Sequence, residues 1–178
     1  MLQKIKTALI SVSDKSNLLP VLKVLKKNNI KIISSGGTYK VIQKLGYSTT
    51  EISIYTGSNE MLDGRVKTLH PKIHAGILYD RANKKHKLEM KKKNFSSIDL
   101  IIVNFYPFQK VVTSTSSAKN IIENIDIGGP TMVRAAAKNF NNVAIVTSKN
   151  DYSNLIKEID KNKGATTLTF RELMSSKA

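Results

Sequence analysis

A chain of 178 residues fits one ordinary domain with a real core, and none of its apolar runs approaches the roughly 20 residues a membrane helix needs. Cysteine is absent, which excludes disulfides, thiolate metal sites and a cysteine nucleophile and points to a cytoplasmic protein. The formal charge of +16, from 29 Lys and Arg against 13 Asp and Glu, favours anionic partners through long-range attraction.

The opening MLQKIKTALISVSDK has no small-residue cleavage site, so Thr7 to Val12 reads as a first strand ending in the polar turn Ser13-Asp14-Lys15. In NLLPVLKVLKKNN the apolar residues 18, 21, 22 and 25 share one helix face, and Pro20 is tolerated in a first turn. Ile30 to Ile33 is a second strand running into Ser34-Ser35-Gly36-Gly37-Thr38, and the helix YKVIQKL follows until Gly46 stops it. Strand, helix, strand, helix predicts an α/β fold with a parallel sheet and right-handed crossovers. Residues 50–80 carry no clean period and read as a long irregular segment of functional character. A lysine-rich helix over 83–93 precedes the apolar strand DLIIVNFYPF. TSTSSA is then a polar loop into the helix KNIIENI, and IDIGGPT opens the helix MVRAAAKNF. VAIVT is a last strand, DYSNLIKEIDKN a closing amphipathic helix, and TTLTFRELMSSKA the start of another. Lysines spread over several helix faces, with only 6% aromatic residues, do not make a nucleic-acid surface, so neither nucleic acid nor membrane is an expected partner.

Open parallel sheets bind ligands at the carboxyl ends of their strands. Four polar motifs fall at such ends or just beyond them: SDK, SGGT, Asn104-Phe105-Tyr106 and GRVKT. SSGGT suits a phosphate, through glycine amides, hydroxyls and a following helix N-terminus, although a simple tight turn is the plainer reading. It matches neither a Walker A loop nor a dinucleotide fingerprint. Asp14 or Ser13 alone could simply cap a helix. HPKIH offers two histidines four apart, but no glutamate follows the first and no third ligand is near, so no metal is expected. Arg65 and Lys67 alternate around Val66 and point the same way in extended chain, either into an oxyanion site or as a solvated basic loop. Asp126 could cap the helix after it or exchange protons, and Lys138 could be its partner or a surface lysine.

SVSDK, SSGGT, EMLDGRVKTLHPKIHAGIL, NFYPF and IDIGGPTMVRAAAKN, in this order and spacing, closely resemble the inosine monophosphate (IMP) cyclohydrolase domain of the bifunctional enzyme AICAR transformylase/IMP cyclohydrolase. The resemblance runs from about residue 5 to about residue 152. It implies a three-layer α/β/α fold with a mostly parallel open sheet, shared with methylglyoxal synthase and with the regulatory domain of carbamoyl phosphate synthetase. Residues 1–150 would form that methylglyoxal synthase-like domain, and 151–178 a closing helix and the start of a connection to a transformylase domain.

The implied reaction is closure of formyl-AICAR (FAICAR) to IMP plus water, the last step of de novo purine biosynthesis. It needs no cofactor, whereas the transformylase step would use 10-formyltetrahydrofolate. By the resemblance, Ser13, Asp14, Lys15, Ser35, Gly36, Gly37 and Thr38 would hold the nucleotide, with Lys15 and SGGT on its 5′-phosphate. Arg65, Val66, Lys67 and Thr68 would line the pocket, Val103 would contribute backbone, and Asn104, Asp126 and Ile127 would contact the base. Lys67 and Tyr106 would stabilise the oxyanion, Asp126 would help remove the amide proton, and Lys138 would be proton donor and acceptor. The partners implied are FAICAR and IMP, in a protein that is a homodimer at full length. A non-catalytic nucleotide-sensing domain of the same fold is the alternative. Such a sensor has no need of Asp126, Lys138 and Tyr106.

Overall fold

A computed structural model describes residues 1–105, 108–114 and 117–178. In chain order its elements are β1 (Gln3–Lys4), β2 (Thr7–Val12), α1 (Leu18–Lys27), β3 (Lys31–Ser34), α2 (Gly36–Lys44), β4 (Thr50–Glu51) and α3 (Ile52–Thr56). There follow α4 (Pro71–Leu78), α5 (Lys84–Lys92), β5 (Leu100–Asn104), α6 (Phe108–Ser114), α7 (Ala118–Glu123), α8 (Gly128–Lys138) and β6 (Ala144–Val146). A 3-10 turn, Lys149–Asp151, leads into α9 (Tyr152–Lys161), β7 (Ala165–Thr166) and α10 (Leu168–Lys177).

Five strands form a wholly parallel sheet in the order β4-β3-β2-β5-β6. Near-continuous apolar strands such as LIIVN are what burial on both faces requires. Successive side chains then part to opposite faces: Ala8, Ile10 and Val12 join Leu22, Leu25, Leu155 and Ile159 on one side. Leu9, Ile101 and Val103 join Ile73, Ile77, Met132 and Ala136 on the other. The result is the expected three-layer α/β/α arrangement. From β2 the chain builds first toward β4 and later, from β5, on the opposite side, so a crevice opens at the carboxyl ends of β2, β3 and β5.

Several local expectations are corrected. Residues 50–80 are not irregular throughout, since they hold β4, α3 and α4. Helix α4 starts at Pro71, with Ile73 and Ile77 buried four apart, but its interior Gly76 weakens the periodic signal. Strand β5 ends at Asn104, and Phe108 already belongs to α6, which also takes Thr113 and Ser114 from the supposed polar loop. Helix α2 begins at Gly36, so the glycine pair is its first turn and not a loop ahead of it. A two-stranded antiparallel sheet, β1 with β7, was not legible because each strand is two residues long.

Residues 151–178 pack into the same core, through Tyr152, Leu155, Ile159, Phe170 and Met174. Arg171 is 1% exposed and donates to the carbonyls of Phe140, Asn141 and Thr166, tying α10 to the loop before β6 and to β7. No helix among the described residues is long and apolar enough to cross a membrane.

Candidate functional site

The carboxyl end of β2 is held by β5. Asn104 Oδ1 accepts the amides of Ser13 (2.7 Å) and Asp14 (2.9 Å), and its Nδ2 donates to Asp14 O at 2.8 Å. Its amide is thus spent on shaping the SDK turn, not left free for a ligand base. Asp14 in turn accepts from Lys149 Nζ at 2.7 Å and from the Ser16 amide at 2.9 Å. The bond from Lys149, followed by those from Ser16, holds the Asp14 carboxyl well below the usual carboxylate range. Tyr152 lies beneath this turn; burial first, then the Asp14 charge, pushes its phenol up to about 12. Sequence reasoning missed Lys149 and Tyr152, which stand more than 130 positions from Asp14 and carry no local motif.

Beside the turn stands the N-terminus of α2. Gly36 has φ of +44°, which a side chain would resist, and Ser35 before it is extended. Thr38 and Tyr39 donate their amides to Ser35 O, leaving Gly36 and Gly37 as the first-turn amides without an intrahelical partner. Lys15 Nζ donates to Ser13 O at 2.9 Å, and its Cε passes 3.5 Å from where a Cβ on Gly37 would lie. The Lys67 ammonium lies 3.1 Å from the corresponding point on Gly36. Two ammonium groups and a helix N-terminus therefore converge on one glycine pair. Thr38 takes no direct part, because its buried hydroxyl exchanges hydrogen bonds with Val12 N (3.0 Å) and Val12 O (3.1 Å). Ser35 Oγ meets Ser11 Oγ at 2.8 Å.

A cavity of about 560 Å³ opens from here, walled by the 63–68 segment on one side and 122–129 on the other. Ser35, Arg65, Lys67, Thr68, Asp126 and Ile127 all line it, as predicted from their motifs. Met61 and Val66 exchange backbone hydrogen bonds, which closes a tight hairpin and sends Arg65 and Lys67 to the cavity side while Val66 serves the bridge. Arg65 pairs with Glu123 at the end of α7, and Lys67 with Glu60. Those contacts lower the carboxyl pKa of both Glu60 and Glu123. Asp126 Oδ1 accepts the Gly129 amide at 2.9 Å, satisfying a first-turn donor of α8. Buried Thr68 lies so near α8 that a Cβ on Gly128 would stand 2.3 Å from its hydroxyl.

Other predicted residues that the structure describes do not line this cavity. Val103 is a core side chain, 1% exposed, on the face covered by α4 and α8. Tyr106 lies outside the described residues. Lys138 ends α8, roughly 15 Å along the helix axis from Gly128, and opens into a second cavity of about 610 Å³ with Leu69, His74 and Arg134. One chain does not bring it to Asp126. Ser13 contributes backbone to the Asn104 network and does not line the cavity. Of the two histidines, His70 caps α4 by accepting the Lys72 amide at 3.1 Å. Burial lowers the His74 pKa, opposed by the Thr68 carbonyl.

The residues 17–131 match the MGS-like domain, and with most of its length matched the chain belongs to the MGS-like domain family. Residues 136–178 match a second family, the AICARFT/IMPCHase bienzyme. More particularly, the chain is similar to the bifunctional purine biosynthesis protein PurH. It is 47% identical to that of Bradyrhizobium diazoefficiens over 176 residues, covering 99% of this chain and 33% of the relative. It is 49% identical to that of Clostridium kluyveri over 173 residues, covering 97% of this chain and 34% of the relative. The crystal structure of ForH superposes with a TM-score of 0.85 at 28% identity, over 97% of this chain and 90% of that one. The chain thus spans about a third of the length of the curated relatives it matches.

Proposed function

We propose that the chain carries the IMP cyclohydrolase activity of a bifunctional purine-biosynthesis enzyme, closing FAICAR to IMP and water in the cytoplasm. The observation that carries the reading is the convergence of Lys15 and Lys67 on Gly36 and Gly37, beside a cavity lined by Ser35, Lys67 and Thr68 and, on its opposite wall, by Asp126. A 5′-phosphate suits the first end and a purine-forming base the second. In the reaction the carboxamide nitrogen forms a bond to the formyl carbon, the formyl oxygen takes up charge, and water departs. Lys67 and Asp126 line the same cavity, so Lys67 would stabilise that oxygen and the Asp126 carboxylate would accept the amide proton. Holding the two reacting groups of one substrate together supplies much of the rate for so weak a nucleophile. The similarity to PurH favours this reading over a nucleotide sensor of the same fold.

FAICAR is supplied and IMP formation followed by absorbance. Asp126→Asn and Lys67→Ala are each expected to lower turnover by roughly 100-fold or more. Wild-type rates equal to buffer would overturn the proposal, and tight IMP binding without turnover would favour the sensor.

The resemblance makes Lys138 a proton donor and acceptor, yet it stands at the far end of α8 from Asp126. We propose that it acts across a contact between two copies in a homodimer. Mixing Lys138→Ala with Asp126→Asn protein then rebuilds one intact site per mixed dimer, and activity rises above that of either variant alone. Activity no higher than that of the separate variants would rule this out.

A further inference from the structure

We propose that Glu60 is a built-in counter-ion of the phosphate seat, holding Lys67 while the site is empty and giving it up when a phosphorylated ligand enters. The inference rests on the phosphate seat proposed above. An ammonium against a helix N-terminus is electrostatically unfavourable, and here Lys67 and Lys15 both crowd that of α2. Glu60 Oε2 bonds the Lys67 ammonium, so the protein itself supplies an anion to this cation. The two partners differ in freedom: the Lys67 side chain is 22% exposed and the Glu60 side chain 54%. Lys67 is therefore the anchored member and Glu60 the one that can swing into water.

The chain around Glu60 is suited to such release. Leu62 and Asp63 both hold left-handed backbone, φ of +53° and +54°, directly before Gly64 at +89°. Two such non-glycine residues in succession strain the turn between Glu60 and Lys67. A phosphate bound by the Gly36 and Gly37 amides offers Lys67 more negative charge than one carboxylate, and it repels Glu60. Arg65 and Glu123 form a similar pair, but both its side chains are largely exposed, so neither is anchored.

Glu60→Gln is compared with wild type for binding of IMP, inosine and inorganic phosphate by calorimetry at low salt. The amide keeps the size of the side chain and removes its charge. IMP and phosphate are expected to bind about fivefold tighter to the variant, with the gain shrinking at high salt, while inosine binding is unchanged. Glu60→Asp, which keeps the charge, restores wild-type affinity or leaves it close to that value. A merely structural role predicts the opposite sign, weaker binding of every ligand. Equal or weaker IMP and phosphate binding by Glu60→Gln overturns the counter-ion inference. If wild type and both variants bind IMP no better than inosine, the phosphate seat itself is wrong, and the inference falls with it.

Discussion

Gly128 shows how narrowly the cavity is built. Its φ is unremarkable for a helix start, so what it supplies is space: Thr68, buried and branched at Cβ, stands where a methyl group would go. Gly128→Ala pushes the α8 terminus away from the hairpin that carries Lys67, at a cost of about 1–3 kcal/mol. The expected outcome is a lower urea midpoint together with weakened nucleotide binding, measured on the same preparation. His74 behaves differently. Its Nε2 is buried with no partner, so charging the ring leaves a buried N–H without an acceptor. The folded pKa lies below the ordinary 6.5, so His74 contributes stability that is present above that value. That stability is lost as the pH falls through the lowered folded pKa. The thermal midpoint of wild type is expected to drop as pH falls from about 7 to 5, and less steeply for His74→Gln.

Among the elements, α10 is fastened by one side chain. Arg171 is fully buried, and burial lowers its pKa, yet its guanidinium donates to three backbone carbonyls. These belong to the segments before β6 and at β7, so one planar donor group joins three chain segments. Arg171→Met keeps most of the volume and leaves those carbonyls without that donor. A loss of about 3 kcal/mol in denaturant unfolding is expected, and a change under about 1 kcal/mol would show that water replaces the guanidinium readily. At the amino end of the sheet Arg81 and Asp99 form a second buried anchor, 2.7 Å apart, whose carboxylate also accepts the amides of Lys6 and Thr7.

Taken as a whole, the molecule differs between the two ends of its sheet. The amino ends of the strands carry the buried Arg81–Asp99 pair, while the carboxyl ends carry exposed or partly exposed ion pairs around a cavity. Residues 151–178 belong to the stable part: five buried apolar side chains at roughly 1.5–3 kcal/mol each rival the 5–15 kcal/mol of a typical domain. A chain cut at residue 150 is accordingly expected to lose cooperative unfolding by circular dichroism.

What the sequence determined alone were the properties written in neighbouring residues. Apolar runs such as TALISV and LIIVN set the parallel sheet, and glycine, hydroxyl and lysine clusters marked the end of it beside the cavity. Alternation around Val66 was enough to put Arg65 and Lys67 on one side. Short elements such as β1 and β7 escaped because their local signal is weak and their partners lie far along the chain. Only the tertiary structure decided which charges meet. Asp14 with Lys149, Arg65 with Glu123, and Asn104 with the SDK turn join segments that share no period. Tertiary structure also parted Asp126 from Lys138, since a straight helix carries residues ten positions apart to opposite ends and into separate cavities. Periodicity fixes the direction of a side chain from its own element, but the distance between two side chains depends on how whole elements pack.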